Sequence, residues 1–203
     1  MVKSYSPLQV DVLREVSNIG CGNAATALSK VLDRRVDMGI PMVSVLPLHE
    51  VADSLGGAEL PMAGVYFQVL DQLPCSILLL LDQNSIGKML GILFGAEQTH
   101  DALLSSMEQS ALMEVGNILC SAYLGALSDF TQLNFQLSIP ALAVDMAGAI
   151  LDIALSQIGG VTDRVLVIEN SLRDGDEAVR AHFLMLPDRE LLDRMFQALG
   201  VAE

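Results

Sequence analysis

"LREVSNIGCGNAATALS", Leu13 to Ser29, and "LMEVGNILCSAYLGALS", Leu112 to Ser128, share Leu, Glu, Val, Asn, Ile, Cys, Ala, Leu and Ser at a constant shift of 99 residues. Self-similarity of this kind has to be recognised first, because a missed repeat misassigns the whole fold. The register runs past the helix: Ile40-Pro41 returns as Ile139-Pro140 and Val45 as Val144, so asparagine and proline stand 23 residues apart in both copies. The closing segments also correspond, "DQNSIGKMLGILFG" (Asp82 to Gly95) with "DRELLDRMFQALG" (Asp188 to Gly200), but here Met89 and Met195 differ by 106. The second copy has gained seven residues. The natural place for them is "MAGAILDIALSQIGG", Met146 to Gly160, where the first copy has the shorter "PLHEVADSLGG".

Each copy reads as helix, three strands, helix. Leu8, Val12, Val16, Ile19 and Leu28 follow the 3.6-residue period, with Leu13, Val16 and Ile19 expected to face a sheet, and a second long helix is expected from Ser106 to Phe130. "RVDMGIPMVSVLPL" and "FQLSIPALAVDM" are strand-like, each with a proline that suits an edge or a bulge. Two hairpins follow, Gly64 to Leu70 with Cys75 to Leu81, and Arg164 to Asn170 with Val179 to Leu186 through "RDGDE". The expected fold is α/β, of the α+β type. Two α-β-β-β-α halves, about residues 1–100 and 101–203, would form one domain with a pseudo-two-fold, joining their strands in one mostly antiparallel sheet with the long helices together on one face.

The totals exclude several function classes. A hydrophobic fraction of 52% with a mean hydropathy of +0.47 raises the question of a membrane. The longest aliphatic run, Ile77 to Leu81, is five residues, against the roughly 20 that a spanning helix needs. The amino terminus, MVKSYSPLQVDVLREV, has no apolar segment of signal-peptide length, so the expected location is the cytoplasm. A net charge of −14 with 11 Lys and Arg argues against nucleic acid, since neutralising phosphates takes clustered cations. Cys21, Cys75 and Cys120 are odd in number and form no C-x-x-C pair, as buried reduced thiols would. His49, His100 and His182 are too scattered to suggest a metal site.

The chemistry-bearing pattern lies in the repeated helix. Asp11, Glu15 and Asn18 are spaced i, i+4, i+7, and Ser110, Glu114 and Asn117 repeat the spacing, so each trio lines one helical stripe. Surface positions under no demand drift, yet Glu and Asn persist in both halves. "GCGNAA" imitates a dinucleotide-binding loop, but it follows about three helical turns rather than a strand, and its second copy "LCSAYL" has lost both glycines. Gly20 and Gly22 are better read as sites where another backbone comes close. No Ser-His-Asp order, nucleophile elbow or phosphate-loop lysine is present. A carboxamide is neither acid nor base, so its use is to hold and align a water molecule.

These residues resemble the phosphatase signature of the CheC, CheX and FliY family of chemotaxis proteins: Asp or Ser, three residues, Glu, two residues, Asn, twenty-two residues, Pro. "DVLREVSNIGCGNAATALSKVLDRRVDMGIP" and "SALMEVGNILCSAYLGALSDFTQLNFQLSIP" both fit it at every defined position. The resemblance covers essentially the whole chain. It implies dephosphorylation of the aspartyl-phosphate of the response regulator CheY, with Asn18 and Asn117 positioning the attacking water and Glu15 and Glu114 pairing with a lysine of the regulator. Asp11 and Ser110 would be accessory and Pro41 and Pro140 structural. No cofactor of its own is implied, the Mg²⁺ being bound by the regulator. Two intact motifs in 203 residues match the CheC branch, since CheX has one complete motif and dimerises and FliY is longer; a monomer is expected. The resemblance also implies a second partner, the receptor deamidase CheD, bound near Val144 to Gln157, with Asp145 as the contact. A module that mainly sequesters or regulates CheD, its catalysis vestigial, is the alternative.

Overall fold

The computed structural model describes residues 5–70, 75–95, 104–157, 163–175 and 177–202. The first half contains α1 (Pro7–Leu32), β1 (Asp37–Met38), β2 (Met42–Pro47), α2 (Leu48–Ser54), β3 (Pro61–Val69), β4 (Cys75–Asp82) and α3 (Gln83–Phe94). The second contains α4 (Ser106–Thr131), β5 (Ala141–Met146), α5 (Ala147–Gln157), β6 (Arg164–Asp174), β7 (Glu177–Pro187) and α6 (Arg189–Ala198). The expected class and antiparallel hairpins are found, but the α-β-β-β-α layout is not complete: each half has a further helix between its first strands and its hairpin, α2 and α5, and the first half has the additional short strand β1. The prolines sit where a missing N–H is tolerated, Pro41 between β1 and β2 and Pro140 just before β5.

All strands join one sheet in the order β1-β6-β7-β4-β3-β5, with β2 also on β6. The first strands are exchanged between the halves. β2 of the first half pairs with β6 of the second, and β5 of the second pairs with β3 of the first, every pairing antiparallel. At the centre β4 pairs with β7, Leu78 opposite Leu184. These two leucines are 106 residues apart, the shift that relates α3 to α6, so the pseudo-two-fold passes through this pair.

The register also corrects the placement of the seven-residue gain. Val65 faces Leu79 whereas Leu166 faces Met185, a separation of 14 residues in one hairpin and 19 in the other. Five of the seven residues therefore lengthen the second hairpin, whose outer end pairs with β1 and is tied by the ion pairs Arg34–Asp174 and Lys88–Glu177. Only two enter between β5 and β6, although α5 is longer than α2, 11 residues against seven.

Alternation along the strands splits the core in two. Val65, Phe67, Ile77, Leu79, Leu166 and Phe183 face α1, α4, α3 and α6, while Leu78, Leu80, Val165, Val167 and Leu184 face the smaller α2 and α5. α4 has the length and hydropathy of a membrane span, but half of its most apolar window is buried inside the protein. The sheet, α1 and α3 account for that hydropathy.

The buried side of α1 is Leu13, Val16, Ser17, Gly20, Cys21, Ala24 and Leu28. Two residues assigned to that stripe by period, Leu8 and Ile19, instead face outward. Small residues carry the contact, which lets the helices approach and turns the apolar arc away from Ile19. At Gly20 an added Cβ would lie 2.8 Å from the Tyr123 ring and 3.1 Å from its Cα on α4, whereas at Gly22 it would meet nothing within 4 Å. Gly20 is thus the close-approach residue and Gly22 is not. In the second half Gly116 has that duty, with Val65 of the sheet 2.8 Å from an added Cβ.

Gly20→Ala should cost about 1–3 kcal/mol through overpacking against Tyr123. Gly22→Ala, in an open mid-helix position, should stabilise by up to about 1 kcal/mol. Urea denaturation of the two variants beside wild type checks both signs.

Candidate functional site

The two long helices are cut to the same template. Ser6 and Gln9 form a capping box at the start of α1, and Ser105 and Glu108 form one at the start of α4, each pair 99 residues from its counterpart. Both helices have 26 residues and stop at a left-handed residue, Asp33 and Gln132. Ser29 then bonds Val36, and Ser128 bonds the Leu133 carbonyl, tying each helix to the chain that returns from it. Equal start, end and packing face give the two stripes the same phase.

Glu15, Asn18 and Glu114 are exposed and Asn117 is half-buried. None of the four makes a hydrogen bond or ion pair with any described residue; their polar atoms are presented to whatever docks. Asp11 is engaged, its carboxylate accepting from the Arg14 guanidinium at 2.6 Å. Ser110 donates to the Ser106 carbonyl at 2.9 Å. These accessory residues are held by their own helices, while the Glu–Asn pairs are left open. Pro41 is buried and Pro140 half-buried beside the helices, which fits a structural duty.

The cysteines offer no competing nucleophile among the described residues. The three cysteines are free and buried. Burial pushes the Cys75 and Cys120 thiols well above the usual range. His182 is buried between strands, and desolvation lowers its pKa. His49 is exposed beside Glu50, and His100 lies outside the described residues. Among the described residues no group of three His, Cys, Asp or Glu side chains could hold a metal.

One feature had no sequence signal. Under α1, one turn beyond Asn18, the Cys21 thiol meets the Tyr123 hydroxyl at 2.8 Å and Asn170 Oδ1 on β6 at 3.1 Å, and Asn170 Nδ2 donates to the same hydroxyl. Burial raises the Cys21 thiol, a shift the bond to Tyr123 partly offsets. The residues related by the repeat to Cys21 and Tyr123 are Cys120 and Ala24, so the polar link forms under α1 and is not repeated under α4. It joins α1, α4 and β6 through directional bonds and fixes the roll of α1 about its axis. Tyr123 explains Gly20, whose missing side chain makes room for its ring.

Asp145, on edge strand β5, is exposed and bonds only the next backbone N–H, Met146 N at 2.7 Å. Its neighbours Val144 and Met146 are exposed as well, as is Ile153 on α5. This patch stands at the opposite edge of the sheet from β2.

Residues 8–45 and 107–143 match the CheC-like family, and these segments are the repeated long helix and first strand of the two halves. The CheY-P phosphatase CheC of Bacillus subtilis (strain 168) is 34% identical over 198 residues, covering 96% of this chain and 95% of that protein. Among solved structures, Thermotoga maritima FliY has a TM-score of 0.75 at 21% identity over 100% of both chains. A chain of the Helicobacter pylori FliM-SpeE complex has a TM-score of 0.71 at 14% identity over 96% and 98%. The structural likenesses are likenesses of fold.

Tyr123→Phe keeps the ring against Gly20 and Phe183 but leaves Asn170 and Cys21 buried without the hydroxyl. The expected loss is about 1–3 kcal/mol, read as a lower urea midpoint. An unchanged midpoint would show that the three groups do not act as a unit.

Proposed function

The chain belongs to the CheC-like family, and from that premise we propose that it is a protein aspartyl-phosphate phosphatase that dephosphorylates a CheY-type response regulator in chemotaxis. The observation that carries this reading is the pair of Glu–Asn stripes, identical in both halves, in phase, and without internal partners.

In the proposed reaction the regulator brings the acyl phosphate and its own Mg²⁺, which neutralises charge on the transferring group. Asn18 or Asn117 enters that site from above, and its carboxamide accepts from and donates to one water, holding it in line with phosphorus. The water oxygen bonds to phosphorus as the bond to the aspartyl oxygen breaks. Phosphate and a free carboxylate leave, and the water's proton passes to phosphate or solvent. Glu15 or Glu114, one turn earlier on the stripe, pairs with a lysine of the regulator and sets the depth and angle of insertion. Positioning suffices because phosphoryl transfer needs little covalent help once charge is met by the metal.

The two roles separate kinetically. Asn18→Ala with Asn117→Ala should lower kcat for phosphate release by about 10- to 1000-fold with KM little changed. Glu15→Gln with Glu114→Gln should act chiefly on KM. Steady-state phosphate release against regulator concentration, with acetyl phosphate as donor, measures both; an equal kcat in the double Asn variant contradicts the assignment.

The second reading is a docking role for CheD at the Asp145 edge. It is favoured by the exposure of that carboxylate on an edge strand, with apolar Val144 and Met146 exposed on the same strand and Ile153 exposed on α5. Asp145→Lys should abolish CheD binding in titration calorimetry while phosphate release stays at the wild-type rate, since the residue is on an edge strand rather than on either stripe.

A further inference from the structure

Between residues 8–45 and 107–144, the residues identical in both halves fall into three groups, one of which, Asn18/Asn117, Ile19/Ile118 and Val45/Val144, is exposed in one half and half-buried in the other. Most are held by the fold: Leu13/Leu112, Val16/Val115, Cys21/Cys120 and Leu28/Leu127 are core, and Ser29/Ser128 tie the helix ends. Exposed in both halves and still identical are Glu15/Glu114 and Ile40/Ile139. Every other position exposed in both has changed, including Asp11 to Ser110, Gly22 to Ser121, Lys30 to Asp129, Asp33 to Gln132 and Met42 to Ala141. An isoleucine that is 85% exposed at Ile40 and 89% at Ile139 does no packing. It survives while the other positions exposed in both halves, Glu15/Glu114 apart, have changed, so packing and solubility do not explain it.

The backbone on either side is fixed. Gly39 N donates to the Ser171 carbonyl at 2.8 Å and Pro41 is buried, so Ile40 is held outward between two anchored residues. Ser138 N donates to the Gln68 carbonyl at 2.8 Å ahead of half-buried Pro140, which does the same for Ile139. β1 and β2, which flank Ile40, pack on α1; β5, which follows Ile139, packs on α4. Each isoleucine is therefore next to a strand that packs on the helix carrying its stripe, and in the first half Gly39 bonds Ser171 while the adjacent Asn170 bonds Cys21, one turn beyond Asn18. Leu8 and Met107, 61% and 70% exposed and apolar in both halves, lie seven residues before the two glutamates on the same helical face.

We propose that Ile40 and Ile139 are the apolar anchors on which the phosphorylated response regulator seats, one for each site, so that contact on the isoleucine excludes bulk water around the Glu–Asn pair. The proposal rests on the phosphatase reading above. A rigidly presented apolar side chain beside a polar pair is the arrangement in which buried contacts gain most, because little ordering is left to do on binding.

The test is phosphate release as a function of regulator concentration with Ile40→Ser, Ile139→Ser and the double variant. Both side chains lie outside the core, so the denaturation midpoints should match wild type. KM of the double variant should rise about 10- to 100-fold with kcat within about twofold. Ile40→Ser should act fully in an Asn117→Ala chain and be silent in an Asn18→Ala chain. An unchanged KM where wild type is active overturns the anchors and leaves the phosphatase reading standing. If wild type itself fails to speed phosphate release, that reading is what has failed, and titration with beryllofluoride-loaded regulator then decides the anchors: weaker binding of the serine variants upholds them, equal binding overturns them.

Discussion

The pairing of β4 with β7 is the constraint on which the rest of the architecture depends. It sets Leu78 against its own repeat counterpart Leu184 and makes one sheet out of two hairpins. Once those strands are joined, both long helices must lie on the face that carries Val65, Phe67, Leu79, Leu166 and Phe183. There they pack on each other through Gly20 and Tyr123. A helix buried on one side by the sheet and on another by its sister has a single free arc, and that arc carries Glu15 and Asn18 in α1 and Glu114 and Asn117 in α4. The exchange of β2 and β5 reinforces this, because neither half can complete its sheet edge without the other.

Much of this was legible in the chain. The shift of 99 residues locates the long helices, the strand prolines and the Glu–Asn stripes, since these are properties of local spacing. What it cannot give is non-local pairing. The exchanged strands depend on which hairpin edge is free, and the seven extra residues divide between a helix and a hairpin according to strand register, which no single segment encodes. Period alone also set Ile19 and Leu8 in the buried stripe, because it weighs apolar side chains and not gaps. In the structure Gly20, Ser17 and Ala24 take the inner positions because α4 comes close enough to require small residues. Gly116 carries no periodic signal for the same reason; it serves the sheet rather than the sister helix. The Cys21, Tyr123 and Asn170 contact unites Cys21 with residues 102 and 149 positions away and leaves no local trace.

That contact also separates the two sites. Cys120 and Ala24 occupy the positions related to Cys21 and Tyr123, so this contact is not repeated beneath Asn117, which is half-buried where Asn18 is exposed. The two stripes share sequence and phase but not their support from below. Duplication has kept the groups that meet a partner and let the scaffold beneath them diverge.

The central claim is that the open Glu–Asn stripes perform hydrolysis on a substrate supplied by another protein. Single-turnover decay of an aspartyl-phosphorylated CheY-type regulator, purified free of its phosphodonor and mixed with increasing amounts of this chain, tests it most directly. The account predicts a decay rate that climbs above the regulator's own and saturates with protein concentration. A decay rate that stays at the regulator's intrinsic value at every concentration of a folded wild-type chain would contradict it.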